Sequence, residues 1–155
     1  VPVPKLPWSR KVLAVDYNRL VDGTSGAVID QSTNSVVAAP TNGAWVVANA
    51  RSVPTIAGRR YRCSWSGSAN GTTGGEFCQT RVTVNGAVPT GMPTRVQTQL
   101  PAAAGADGLV AGEVYFVAAS TGNQTVNLEF TRNTGGTQVN VTAGSVVFTI
   151  ADVGT

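Results

Sequence analysis

Apolar residues recur at every second position along much of this chain. Val126, Leu128 and Phe130 alternate with Asn127, Glu129 and Thr131. Val139 and Val141 alternate with Gln138 and Asn140, and Tyr61, Cys63 and Trp65 with Arg60, Arg62 and Ser64. Successive side chains of a strand point to opposite faces, so this pattern describes strands with one face in a core and the other outside it. It predicts strands over 35–39, 44–49, 59–67, 76–84, 94–100, 113–119, 125–132, 138–142 and 145–152. Turn residues separate them, among them Asn42-Gly43, Asn70-Gly71, Asn85-Gly86 and Gly135-Gly136. Asn-Gly pairs supply the positive φ that tight hairpins require. Short strands punctuated in this way form a β-sandwich or a barrel. The Ala/Gly-rich stretch 101–108 reads as a longer surface loop.

Residues 1–34 read differently from residues 35–155. Pro2, Pro4 and Pro7 remove ladder donors and fix φ, which predicts an extended N-terminal arm. Trp8 follows, and a tryptophan on an extended arm suits an anchor on a partner. The arm residues expected to touch a partner are Pro4, Leu6, Trp8, Arg10 and Lys11. Asp16 is placed to cap one short helical turn running to Leu20 and ended by Gly23. The expected organisation is therefore an arm with a short helical segment (1–34) and an all-β sandwich (35–155).

Composition narrows the chemistry. Only 12% of the 155 residues are charged, about half the usual share. With 42% hydrophobic residues the chain is not of the disordered class. Its surface must be built from Thr, Ser, Asn, Gln and Gly. Histidine is absent, so Ser-His and Cys-His catalysis are excluded. The acids Asp16, Asp22, Asp30, Glu76, Asp107, Glu113, Glu129 and Asp152 are scattered and read as solvated surface groups, not as a facing glycosidase pair. Two thiols without histidine do not complete a zinc site, and no Asp-rich loop offers a calcium cage. No catalytic residue, metal or cofactor is expected. The net charge of +3 comes from dispersed cations. Arg59, Arg60 and Arg62 form the one local cluster, read as a solvated strand face, and nucleic acid is not an expected partner. No apolar run approaches the roughly 20 residues of a membrane span. Val1 to Leu6 lack a leader's apolar segment, so either synthesis in a cytoplasm or removal of a leader is expected.

Cys63 and Cys78 both fall on inward faces. Neighbouring strands would bring them within disulfide distance, and the alternative is a pair of buried thiols. Trp65 shares a face with Tyr61 and Cys63 and reads as core, Trp45 reads as core or interface, and Tyr115 is a further aromatic available for stacking on a sugar. Val147 and Ala151 lie opposite Val146, Phe148 and Ile150, and Tyr115 and Val117 lie opposite Val114 and Phe116. These leftover apolar side chains call for a second covering layer, such as another subunit.

Several short motifs occur in a fixed order. Trp8 precedes Asp16, Asn18, Leu20 and Asp22; an Ala-Gly-Arg-Arg-Tyr-Arg strand spans 57–62; Arg81 leads to Asn85-Gly86; Thr121-Gly122 leads to Arg132 and Gly135; and Ala151-Asp152-Val153-Gly154 ends the series. This order resembles C1q/TNF-like jelly-roll virion proteins of tailed bacteriophages, the head-decoration and minor tail proteins of the actinobacteriophage type. The resemblance implies a jelly-roll β-sandwich that forms a homotrimer and docks on other virion proteins, of capsid or tail, through its N-terminal segment. It implies localisation to a virion assembled in the host bacterial cytoplasm, and no catalytic residues. The Cys63 and Cys78 pair departs from that family's pattern. The alternative expectation is a receptor- or carbohydrate-binding β-sandwich module that takes a host-surface glycan.

Overall fold

The computed structural model describes residues 27–34, 43–133 and 138–154. Its strands are β1 (Ala27–Thr33), β2 (Val46–Thr55), β3 (Arg60–Gly71), β4 (Phe77–Val84), β5 (Val96–Gln99), β6 (Asp107–Val117), β7 (Gly122–Arg132), β8 (Val139–Asn140) and β9 (Val146–Gly154). One sheet has the order β1-β9-β3-β6, with β8 joined to the end of β3, and the other has the order β2-β7-β4-β5. All pairings are antiparallel, and four of them nest one inside the next: β1 with β9, β2 with β7, β3 with β6, β4 with β5. This is the wrapping of one long hairpin onto itself, a jelly-roll β-sandwich. Among the described residues there is no helix.

The period-two pattern fills the space between the sheets. Tyr61, Cys63 and Trp65 of β3, Val110, Val114 and Phe116 of β6, and Phe148 and Ile150 of β9 point inward from one side. Val53 of β2, Cys78 and Val82 of β4, and Val126, Leu128 and Phe130 of β7 meet them from the other. The Tyr61 and Phe116 rings stack with centroids 5.3 Å apart. Each fully buried side chain of this size contributes about 1.5–3 kcal/mol by leaving water. Glycine makes room at one point: a Cβ on Gly112 would overlap the Trp65 indole, which lies across its β6 partner. Where β1 and β2 border the gap between the sheets, polar pairs join them. Arg51 donates to both Asp30 oxygens at 2.6 and 2.9 Å, and Asn49 Nδ2 donates to Ser32 Oγ at 3.0 Å.

The expected turn at Asn85-Gly86 is present. Both residues have positive φ, at 52° and 82°, and Val84 and Ala87 exchange backbone hydrogen bonds across it. Several boundaries move. β2 runs on through Pro54, which an edge strand tolerates because one of its sides has no ladder. β6 begins at Asp107, inside the stretch read as loop. β1 was not anticipated, because a bulge between Val28 and Asp30 breaks the alternation that marks a strand. The anticipated strand 35–39, the helical turn after Asp16 and the arm lie outside the described residues.

Candidate functional site

Among the described residues, the outer face of the β1-β9-β3-β6 sheet carries most of the exposed large apolar side chains. Antiparallel register groups its outward residues into rows. Val28, Ala151, Arg62 and Tyr115 form one row; Gln31, Thr149, Ser64 and Glu113 the next; Thr33, Val147, Ser66 and Ala111 the third. Ser68 with Leu109 and Arg60 with Val117 extend the face at its β6 side. Val28, Leu109, Tyr115, Val117 and Val147 are all open here, with Leu109 69% and Val117 59% exposed. Of the four leftover residues named from the sequence, Val147, Tyr115 and Val117 are exposed and Ala151 is not. Its single methyl group lies between Val28 and Arg62 in the same row.

Charges on this face are held locally. The Tyr115 hydroxyl donates to Glu113 Oε1 at 2.6 Å, and that hydrogen bond raises the phenol above its usual range. Arg60 lies over the Tyr115 ring at 4.3 Å, and Arg62 Nε stands 3.9 Å from Glu113 Oε2. Arg59 points away from the face and donates to both oxygens of the fully buried Asp152. Of the arginine cluster only Arg59 is held by a buried carboxylate; Arg60 is exposed and Arg62 half-buried on the strand face, in keeping with the solvated reading. Between the rows, Ser64, Ser66, Val147 and Thr149 line a shallow depression of about 120 Å³.

The opposite sheet presents a polar outer face. Arg81 donates to Glu129 Oε2 at 2.6 Å, Thr83 to Oε1 at 2.8 Å, and the guanidinium lies 4.1 Å from the Trp45 ring centroid. The reading of the acids as solvated is corrected here. Glu129 and Asp152 are buried in ion pairs, and Glu76 is buried with Oε1 accepting from Thr73. A hollow of about 480 Å³ opens at the end of the sandwich between Val84, Val88, Pro89, Phe116, Ala118 and Gln124. No charged side chain lines it, and the Gln124 amide is spent on Ser120 and Asn85.

Cys63 and Cys78 are free thiols, both buried. The disulfide alternative assumed neighbouring strands, but β3 and β4 belong to different sheets. Burial pushes each thiol up to about 12, away from reactive thiolate chemistry. Among the described residues no three His, Cys, Asp or Glu side chains group as metal ligands. Pro4, Leu6, Trp8, Arg10 and Lys11 lie outside the described residues.

Sequence reasoning missed Val28 and Leu109 on the exposed face. Leu109 was hidden because 109–111 and 114–117 are runs of consecutive apolar residues, which carry no alternation to separate the two faces, and the Ala/Gly stretch before it masked the start. No protein-family model matches this chain, and no curated protein matches it.

Proposed function

We propose that this chain is a structural subunit of a tailed-bacteriophage particle. In this reading its jelly roll forms a homotrimer through the outer face of the β1-β9-β3-β6 sheet. Its N-terminal arm docks on neighbouring capsid or tail proteins, and the assembled particle is cemented by buried area. The observation that carries the reading is the gathering of Val28, Leu109, Tyr115, Val117 and Val147 on one sheet face of a chain poor in charge. A second layer of protein would take that surface out of water at about 25 cal/mol per Å². The motif order from Trp8 to Gly154 supports the phage setting.

The glycan-binding alternative has weaker support. Stacking on a sugar needs an open aromatic face. Trp65 is buried, one face of Trp45 is taken by Arg81, and one face of Tyr115 by Arg60.

Mass measurement in solution tests the oligomer. The full chain is expected at three copies, and Val147→Arg is expected to shift it toward smaller species; an unchanged mass would refute the face as the contact. Deletion of Val1 to Lys11 is expected to leave the trimer intact and abolish incorporation into the particle. Retained incorporation would refute the arm as anchor.

A further inference from the structure

The jelly roll has edges as well as faces, and they are not alike. β1 carries a bulge, β2 carries a bulge and Pro54, and β5 is only 4 residues long. These are the devices by which β proteins keep edges from pairing with other chains. β6 has none of them. It runs 11 residues without proline, lysine or arginine, and its register against β3 is unbroken from Asp107 to Val117. Among the described residues it ends its sheet, with no strand paired to its far side.

Backbone phase says which groups are free. Ala118 donates to Arg59 O at 2.9 Å, and its carbonyl accepts from Gly58 at 2.8 Å, so its backbone faces β3. Alternation along the strand then turns Phe116, Val114, Gly112 and Val110 toward β3. It turns Leu109, Ala111, Glu113, Tyr115 and Val117 outward, with unpaired N–H and C=O groups.

We propose that β6 is an interaction edge that pairs antiparallel with β6 of a second copy of this chain, about a two-fold axis at Gly112. Only registers that set outward residue against outward residue join free donors to free acceptors. Of these, the one centred on Gly112 overlaps the whole strand. It places Leu109 opposite Tyr115 of the partner subunit, an apolar-aromatic pair formed twice by symmetry. It sets Glu113 against Ala111 and Asp107 against Val117, so no acid faces an acid. Asp107 of the partner subunit then shares a row with Arg60, the β3 neighbour of Val117. Centring on Glu113 instead would oppose two carboxylates, and centring on Ala111 would oppose Leu109 to Glu113. The contact is isologous and taken alone closes at two copies; combined with the threefold face it links each trimer to up to three others. It extends the sheet sideways and leaves the face free, so it deepens the assembly reading by joining one trimer to another.

The test uses substitutions at Ala111 in the full chain, read by sedimentation equilibrium across a concentration series. Ala111→Glu sets like charges opposite each other twice, and is expected to weaken the two-fold association on the order of tenfold. Ala111→Lys, opposite Glu113 of the partner subunit, is expected to keep it or tighten it. Ala111→Pro removes a donor that β3 does not use, and is expected to weaken it further. Amide exchange on the wild type gives a second readout: Leu109, Ala111, Glu113, Tyr115 and Val117 are expected to gain protection as concentration rises. Equal association of the Glu and Lys variants, or exchange at these amides that is independent of concentration, overturns the proposal. A trimer indifferent to every Ala111 change defeats the edge and leaves the face. A Val147→Arg variant that still pairs two-fold but has lost the threefold species leaves the edge reading standing, with the trimer resting on that face as proposed.

Discussion

Replacing Glu129 with alanine separates the solvated-acid reading from the packing seen in the fold. A solvated acid on a polar strand face can be removed at a cost within about 0.5 kcal/mol. Glu129 accepts from Arg81 and Thr83 at 2.6 and 2.8 Å, with 8% of its side chain exposed. Breaking a buried pair by deleting one partner costs about 3–5 kcal/mol. Two features reduce that here. The Arg81 side chain is 26% exposed and can recover water, and it keeps the Trp45 ring. The expected loss is therefore about 2–3 kcal/mol. For a chain of this length that is a fall in Tm of about 4–12 °C. Glu129→Gln, which retains an acceptor for Thr83, is expected to lose about half as much. A double-mutant cycle with Arg81→Met is expected to give a coupling of about 1–3 kcal/mol. Urea unfolding at neutral pH and one fixed protein concentration reads all of these, since association otherwise shifts apparent stability. A loss under about 0.5 kcal/mol for Glu129→Ala, or no coupling to Arg81, would refute the buried-pair argument.

The same reasoning predicts that Arg51→Ala is mild, at about 0.2–1 kcal/mol by the same assay, because the Arg51 side chain is 40% exposed despite its good geometry with Asp30. Gly112→Ala forces the Trp65 indole to move, and is expected to destabilise by about 1–3 kcal/mol with a change in tryptophan near-UV circular dichroism. Cys63 and Cys78 ionise near 9.0 when unfolded and near 12 when buried. The folded state thus retains thiol protons that the unfolded chain gives up. Stability is full below about pH 9 and falls toward pH 12, by at most about 1.4 kcal/mol per pH unit for each thiol. Replacing both by alanine should flatten that part of the pH profile, and in the native protein both should resist a thiol reagent until the chain unfolds.

Much of the sandwich could be read in advance because strand periodicity is local. Trp65 shares a face with Tyr61 and Cys63 in any strand, so its place in the core followed from spacing alone. Val147, Tyr115 and Val117 were separated from the core side by the same parity, and they are exposed. Parity failed where the backbone itself departs from the pleat. The bulge in β1 hid both the strand and Val28, and the bulge in β2 hid its continuation beyond Asn49.

Alternation says which side of a strand a residue occupies; it carries no information on which strand lies beside it. Assignment of Cys63 and Cys78 to different sheets, of Arg81 to Glu129, of Arg59 to Asp152 and of β6 to an unpaired edge came from the nested order of the strands. Those partners stand 48 and 93 positions apart for the two ion pairs. Only closure of long loops during folding brings them together, and that is a property of the whole chain rather than of any segment.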